Sequence, residues 1–198
     1  QAGWSRGEYL EIAPKLNDLG FNCMAVDQRS GGGINDTENL TNKEAKKTSK
    51  ETRYIDALPD MQAALNYVKE NYSNSKIILW GSSYSSALVI KLASQNLEIV
   101  DGVLAFSPGE YFSRMGESET FIQEAAQKIV VPIFITSAKN EENQWKAIFE
   151  AISSENKTSF LPETVGNHGS RALWEKFDDN EQYWNAVKDF LNKNFLVE

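Results

Sequence analysis

The sequence has little cysteine, one histidine, no excess of basic residues and no long hydrophobic run. The single cysteine, Cys23, excludes an internal disulfide and a cysteine-rich metal site. No apolar stretch approaches the roughly 18 residues that cross a bilayer, so we expect a soluble protein with no membrane span. Acidic residues outnumber basic ones by 28 to 20, which gives a net charge of −8. This balance argues against nucleic-acid partners, because phosphate binding needs a basic face.

The 198 residues, 41% of them hydrophobic, suffice for one domain with a sizeable core. Cys23 lies in the apolar stretch "FNCMAV", so a buried structural thiol is expected there. The chain begins "QAGWSRGEY", which has no initiator Met and reads like a loop entered midway, so we expect further residues upstream in the natural protein. These features leave the compartment open, with the cytoplasm favoured.

Short apolar runs alternate with segments of helical period, which is typical of βαβ units and a mostly parallel sheet. The predicted strands cover residues 21–28, 76–81, 100–107, 131–138 and 158–165. Residues 84–93, "YSSALVIKLA", are apolar nearly all round and predict a buried helix. Further apolar stripes predict helices that contain Leu58 to Val68, Trp145 to Ile152 and Trp184 to Leu191. The stretch 29–52 is predicted to be a long loop with room for a short helix.

The stretch "KIILWGSSYSSAL" places Ser83 at the turn between a buried strand and a buried helix. Its core resembles the G-x-S-x-G pattern, in which a nucleophilic serine stands at a sharp strand-to-helix turn, except that Ser85 replaces the second glycine. A serine hydroxyl is a weak nucleophile at neutral pH and needs a base, itself oriented by an acid. Ser83 is therefore the predicted nucleophile.

Residues for the base and the acid follow two later strands. His168 comes after the last predicted strand, in the Gly- and Asn-rich loop "VGNHGSRAL", where a functional histidine is expected more than a packed one. After strand 131–138, the segment "AKNEE" supplies Glu141 as the acid. Asn140 and Glu142 remain alternatives, because a shift of one residue in the loop would exchange them. Both glutamates have the further alternative of capping the helix that follows.

The chain order Ser83, Glu141, His168 is the one that distinguishes α/β-hydrolases from other serine hydrolases. The chain resembles the α/β-hydrolase superfamily, and within it the dienelactone hydrolase-like and small serine esterase group. The resemblance extends through "GWSRGEYLEIAPKLNDLGFNCMAVDQRSGG", "IILWGSSYSSAL", "VPIFITSAKNEE" and "NHGSRALWE". It implies a three-layer α/β fold over residues 1–198, with a mostly parallel central sheet, helices on both faces and the N-terminal strand or strands missing from this chain.

The resemblance also implies an oxyanion hole formed by the backbone amides of Ala2 and Tyr84. In the family, a strand that ends in a His-Gly-like pair precedes the segment matching "AGWSRGEY", and Gln1 takes the place of that glycine. Side chains proposed for the pocket walls, with plain packing as the alternative, are Trp4, Tyr111, Phe112 and Met115.

The implied activity is hydrolysis of carboxylic esters through an acyl-enzyme intermediate. Dienelactone hydrolases use a cysteine nucleophile, so Ser83 favours ordinary ester chemistry. The expected partner is a small-molecule ester, no metal or cofactor is implied, and the oligomeric state stays open. A peptidase or an acyltransferase could use the same triad. A non-catalytic hydrolase-like binding domain is the alternative that Ser85 suggests.

Overall fold

The computed structural model describes residues 1–196, and these residues form seven α-helices and four strands. The chain folds as two compact units, Gln1–Ser73 and the residues from Asn74 onward. The single domain expected over residues 1–198 stays a prediction.

The first unit is helical, and its helices are α1 (Ile12–Asp18), α2 (Leu40–Lys47) and α3 (Leu58–Asn71). α2 lies within the long loop predicted over 29–52, and it begins where the Asn39 side chain accepts a hydrogen bond from the Asn42 N–H. α3 has a proline in its first turn, where no hydrogen bond is lost.

The strand predicted over residues 21–28 is wrong, because this segment forms no strand in the described part of the chain. Its centre is exposed, with 46% of Met24 accessible. Cys23 was expected to be buried and is exposed, although desolvation by neighbouring atoms raises the pKa of its thiol. A strand needs a neighbour to receive its backbone hydrogen bonds, and an apolar composition does not supply one.

The second unit is built on a parallel sheet with the strand order β1-β2-β3-β4. The strands are β1 (Ile78–Ser82), β2 (Gly102–Phe106), β3 (Ile133–Thr136) and β4 (Lys157–Phe160). They confirm the four strands predicted after residue 75, with β4 ending earlier than expected. β2 and β3 are buried along their whole length, as continuous apolar runs predict.

The four strands end in register. Ser82 pairs with Phe106, Phe106 with Thr136, and Thr136 with Phe160. The segments that follow the strands therefore start from one edge of the sheet, which is where open α/β sheets form their sites.

The helices of the second unit are α4 (Tyr84–Gln95), α5 (Phe121–Ala126), α6 (Glu142–Ala151) and α7 (Asn180–Asn194). α4 is buried over nearly its whole surface, which confirms the prediction for residues 84–93. α6 and α7 bury one apolar stripe each, formed by Trp145 and Ile148 in α6 and by Trp184, Val187, Phe190 and Leu191 in α7. Within residues 1–196, every helix is too short or too polar to cross a membrane.

Candidate active site

Ser83 stands at the sharp turn between β1 and α4. Its backbone has φ 58° and ψ −128°, a conformation that residues with a Cβ rarely adopt. The Ser83 N–H donates to the carbonyl oxygen of Phe106 at 2.7 Å, which ties the turn to β2. The structure thus has the strand, turn and helix that the G-x-S-x-G pattern requires.

Ser85 occupies the position of the second glycine in that pattern without opening the turn. Its Oγ accepts a hydrogen bond from the Ser82 N–H at 3.0 Å and donates to the Ser82 carbonyl at 2.9 Å. The side chain is buried, so its polar atoms need these partners. Serine at this position therefore adds hydrogen bonds within the turn.

We expect Gly81→Ala to destabilise the fold by about 2 to 3 kcal/mol. A Cβ at Gly81 would overlap the backbone of Ser85 and lie 2.5 Å from Ser86 Cα, and helix backbone cannot rotate away. Urea denaturation followed by circular dichroism measures the change. The matched control is Gly33→Ala, whose Cβ would meet nothing closer than 3.3 Å and should cost less than about 1 kcal/mol. Equal losses in the two variants would contradict the packing argument.

His168 lies between Ser83 and Glu141. Its Nε2 is 2.8 Å from Ser83 Oγ, and its Nδ1 is 2.6 Å from Glu141 Oε1. Because an ionised carboxylate can only accept, Nδ1 carries the proton and Nε2 is left to accept the Ser83 hydroxyl. The structure thus brings together the three residues chosen from the sequence. Of the alternatives for the acid, Asn140 is exposed and Glu142 begins α6.

The Glu141 carboxylate is largely buried, with 15% of its side chain exposed. Burial alone raises its pKa, but the hydrogen bonds from His168 and Ser107, together with the charge of the imidazole and the Ala138 amide, hold its pKa below the usual value. Glu141 is therefore a carboxylate at neutral pH, the form that can orient and stabilise an imidazolium.

Two serine hydroxyls hold the backbone directly after His168. The Gly169 N–H donates to Ser107 Oγ at 2.9 Å, and the Ser170 N–H donates to Ser82 Oγ at 2.9 Å. Ser82 ends β1 and Ser107 follows β2. The imidazole is thus positioned by side chains from two adjacent strand ends.

The residue before the imidazole is also anchored. The Asn167 N–H donates to the Tyr183 hydroxyl oxygen at 3.2 Å, and the Tyr183 hydroxyl donates to the Ser137 carbonyl at 3.1 Å. Burial raises the pKa of Tyr183 to about 12, so this hydroxyl keeps its proton. The loop of His168 is therefore held on both sides.

Ser107 is the site residue that sequence reasoning missed. It is 1% exposed, has φ 57°, and its Oγ donates to Glu141 Oε2 at 2.7 Å. The feature that could have identified Ser107 is its position directly after β2, which matches the position of Ser83 after β1.

Tyr111, proposed as a pocket wall, contacts Ser107. Its hydroxyl donates to the Ser107 carbonyl at 2.7 Å. Burial and the charge of Glu141 raise the pKa of Tyr111 well above its usual range, although a hydrogen bond with the Ser83 side chain opposes the shift. Tyr111 is therefore a neutral donor. Phe112, another proposed wall residue, is fully buried and packs in the core.

The two predicted oxyanion donors belong to different units. Tyr84 is the first residue of α4 and is 2% exposed, so its amide lies in the first turn of a helix. Ala2 lies in a turn of the first unit. Their joint action stays a prediction.

Solved structures similar to this chain include monoacylglycerol lipase from Paleococcus ferrophilus, with 13% sequence identity, a TM-score of 0.68 and coverage of 98% of this chain and 92% of that one. Est1E from Butyrivibrio proteoclasticus with bound ferulic acid has 14% identity, a TM-score of 0.71 and coverage of 96% and 84%. A dienelactone hydrolase from Anabaena variabilis has 13% identity, a TM-score of 0.68 and coverage of 98% and 82%. These likenesses confirm the α/β-hydrolase fold.

The search of curated proteins found no match. A family model described as "Serine aminopeptidase, S33" matches residues 2–115, more than half of the chain. The match includes β1, the Ser83 turn, β2 and Ser107. The chain therefore belongs to the serine aminopeptidase S33 family of α/β-hydrolases.

Proposed function

We propose that this protein is a serine hydrolase that cleaves carboxylic esters through an acyl-enzyme intermediate. The observation that carries the proposal is the hydrogen-bonded chain from Glu141 through His168 to Ser83, with links of 2.6 and 2.8 Å. An imidazole in this arrangement can accept the serine proton while the carboxylate stabilises the resulting imidazolium. The names of the similar structures, a lipase, an esterase and a dienelactone hydrolase, also favour ester substrates.

In the proposed reaction, Ser83 Oγ attacks the acyl carbonyl while its proton passes to His168 Nε2. The tetrahedral intermediate collapses when His168 returns that proton to the departing alcohol, which leaves the acyl group on Ser83. A water molecule then attacks the acyl carbonyl and gives its proton to His168. Collapse of the second intermediate releases the carboxylic acid and restores the Ser83 hydroxyl.

The oxyanion of each intermediate needs hydrogen-bond donors. We assign this role to the backbone amide of Tyr84. Tyr84 begins α4, a helix of 12 residues, and the positive end of a helix dipole favours a negative charge at that place. A single oxyanion donor is worth about 3 kcal/mol of transition-state stabilisation.

A fluorophosphonate probe tests the proposal, because such probes phosphonylate an activated serine. We expect one adduct on Ser83, located by peptide mass spectrometry. His168→Ala should slow labelling by on the order of a thousandfold or more, because the hydroxyl loses its base. Ser94→Ala is the matched control, since Ser94 lies in α4, the helix that follows Ser83, and its hydroxyl donates to the Lys91 carbonyl. No adduct on Ser83, or an adduct whose formation is unaffected by His168→Ala, would favour the non-catalytic hydrolase-like binding domain.

Peptide hydrolysis is the second candidate, because the matching family is described as a serine aminopeptidase. Attack on an amide would use the same residues, with His168 giving its proton to the departing amine. Aminoacyl p-nitroanilides and p-nitrophenyl esters compared on one enzyme preparation separate the two candidates. The ester proposal predicts that kcat/KM for the esters exceeds kcat/KM for the anilides. The excess should be far larger than the ordinary difference in reactivity between esters and anilides. Selectivity of the enzyme for substrates that carry a free α-amino group would favour the aminopeptidase.

A further inference from the structure

We infer that Ser107 is a positioning residue, whose hydroxyl holds the Glu141 carboxylate and the His168 loop where the imidazole reaches Ser83. This inference rests on the proposed function. Ser107 is 34 positions from Glu141 and 62 positions from Gly169 in the chain, and its side chain is hydrogen-bonded to both.

The Ser107 hydroxyl links two of the three parts of the site. It donates its single proton to Glu141 Oε2 at 2.7 Å and accepts the Gly169 N–H at 2.9 Å. A hydroxyl can make both bonds at once. Since Glu141 Oε1 contacts the imidazole, both carboxylate oxygens are held, and the plane of the carboxylate is fixed.

The Ser107 backbone repeats the geometry of the nucleophile on the next strand. Ser107 has φ 57° and Ser83 has φ 58°. The Ser107 N–H donates to the Thr136 carbonyl at 2.6 Å, as the Ser83 N–H donates to the Phe106 carbonyl at 2.7 Å. Glycine would adopt this φ without strain. A serine at this unfavourable φ indicates that its side chain has a functional role.

Tyr111 contacts the backbone of Ser107. Its hydroxyl donates to the Ser107 carbonyl at 2.7 Å, and Ser107 is almost inaccessible to solvent. The Ser107 backbone is therefore held by Tyr111, and the hydroxyl is held by its own bonds to Glu141 and Gly169.

The pH dependence of kcat/KM can report the charge of Glu141. The titratable groups that face it from other elements are His168, Tyr111 and Tyr183. Both tyrosines have raised pKa values and stay neutral in acid. The hydrogen bond from Ser107 lowers the pKa of Glu141, so its removal raises that pKa. Glu141 then loses its charge at a higher pH, and the part of the acidic limb of kcat/KM that reports protonation of Glu141 moves to higher pH.

Ser107→Gly is the decisive variant, because it removes the hydroxyl and also relieves the backbone. We expect the variant to stay folded, because relief of the strained backbone at φ 57° opposes the loss of two buried hydrogen bonds. The kcat for a p-nitrophenyl ester should be lower by about tenfold to a hundredfold. KM should change little, and the acidic limb should move to higher pH. Ser82→Ala is the comparison: it removes the contact with Ser170 and leaves the Glu141 contact, so kcat should fall without a shift of the limb.

A second readout does not depend on turnover. His168 is the only histidine, so imidazole proton signals in an NMR spectrum come from this residue alone. We expect the downfield Nδ1 proton signal of the wild type to move or broaden in Ser107→Gly and to stay unchanged in Ser94→Ala.

The outcomes separate the two proposals. The inference is overturned if the wild type is active and Ser107→Gly leaves kcat, the acidic limb and the Nδ1 signal unchanged. The proposed function then still stands. A wild type that neither hydrolyses esters nor takes up a fluorophosphonate overturns the proposed function and the inference with it.

Discussion

Ser83→Ala is expected to lower kcat for p-nitrophenyl ester hydrolysis by on the order of 10⁵-fold or more. The methyl group cannot attack the acyl carbonyl, and no covalent intermediate forms. Ser83 is 7% exposed and its Oγ is 2.8 Å from the imidazole, so the variant removes one hydroxyl from a fixed frame. A series of acetyl, butyryl and octanoyl esters, measured with the wild type and the variant, checks the loss and gives the acyl-chain preference.

Ser94→Ala provides the control for this measurement. It makes the same chemical change within α4, where the Ser94 hydroxyl donates to the Lys91 carbonyl, and its kcat should match that of the wild type. Circular dichroism shows whether Ser83→Ala keeps its fold. A folded Ser83→Ala protein with activity within about tenfold of the wild type would place the nucleophile elsewhere.

Glu141→Gln is expected to lower kcat by about 10³-fold to 10⁴-fold. The amide removes the negative charge that stabilises the imidazolium, and its NH₂ group cannot accept the Nδ1 proton. The wrong tautomer of His168 is then favoured, with the proton on the nitrogen that faces Ser83. Steady-state kinetics of the esters measure the effect, and KM should change far less than kcat.

Glu142→Gln is the matched control, since it makes the same change one residue later. Glu142 begins α6, where a carboxylate interacts with the helix dipole, so we expect a small loss of stability of about 0.5 kcal/mol and an unchanged kcat. Asn140→Ala, at an exposed position, should also leave kcat unchanged. A large loss of kcat in either control would reassign the acid.

The strands of the second unit and the hydrogen-bonded chain of Ser83, His168 and Glu141 could be predicted because their signals are local. The run before Gly81 and the apolar residues after Tyr84 specify a strand and a helix with a turn between them. His168 and Glu141 each follow a strand in a polar loop, and parallel strands bring such loops to one edge.

The remaining features depend on partners that are distant in the sequence. Residues 21–28 have a strand-like composition, but whether a strand forms is decided by a neighbouring strand. The exposure of Cys23 has the same cause, since burial of a side chain depends on what packs over its segment. The role of Ser107 depends on a positive φ and on the register between β2 and β3, neither of which its own sequence neighbourhood reveals.

The hydrogen bonds among Ser83, His168 and Glu141 join parts of the protein that are far apart in sequence. Ser83 and His168 are separated by 85 positions, and Glu141 and His168 by 27. Parallel strands pair only through crossover connections, so such contacts form slowly and late during folding. A chain that has not completed its sheet carries Ser83 as an ordinary, unreactive alcohol. The proposed nucleophile thus gains its proposed base only when the second unit is complete.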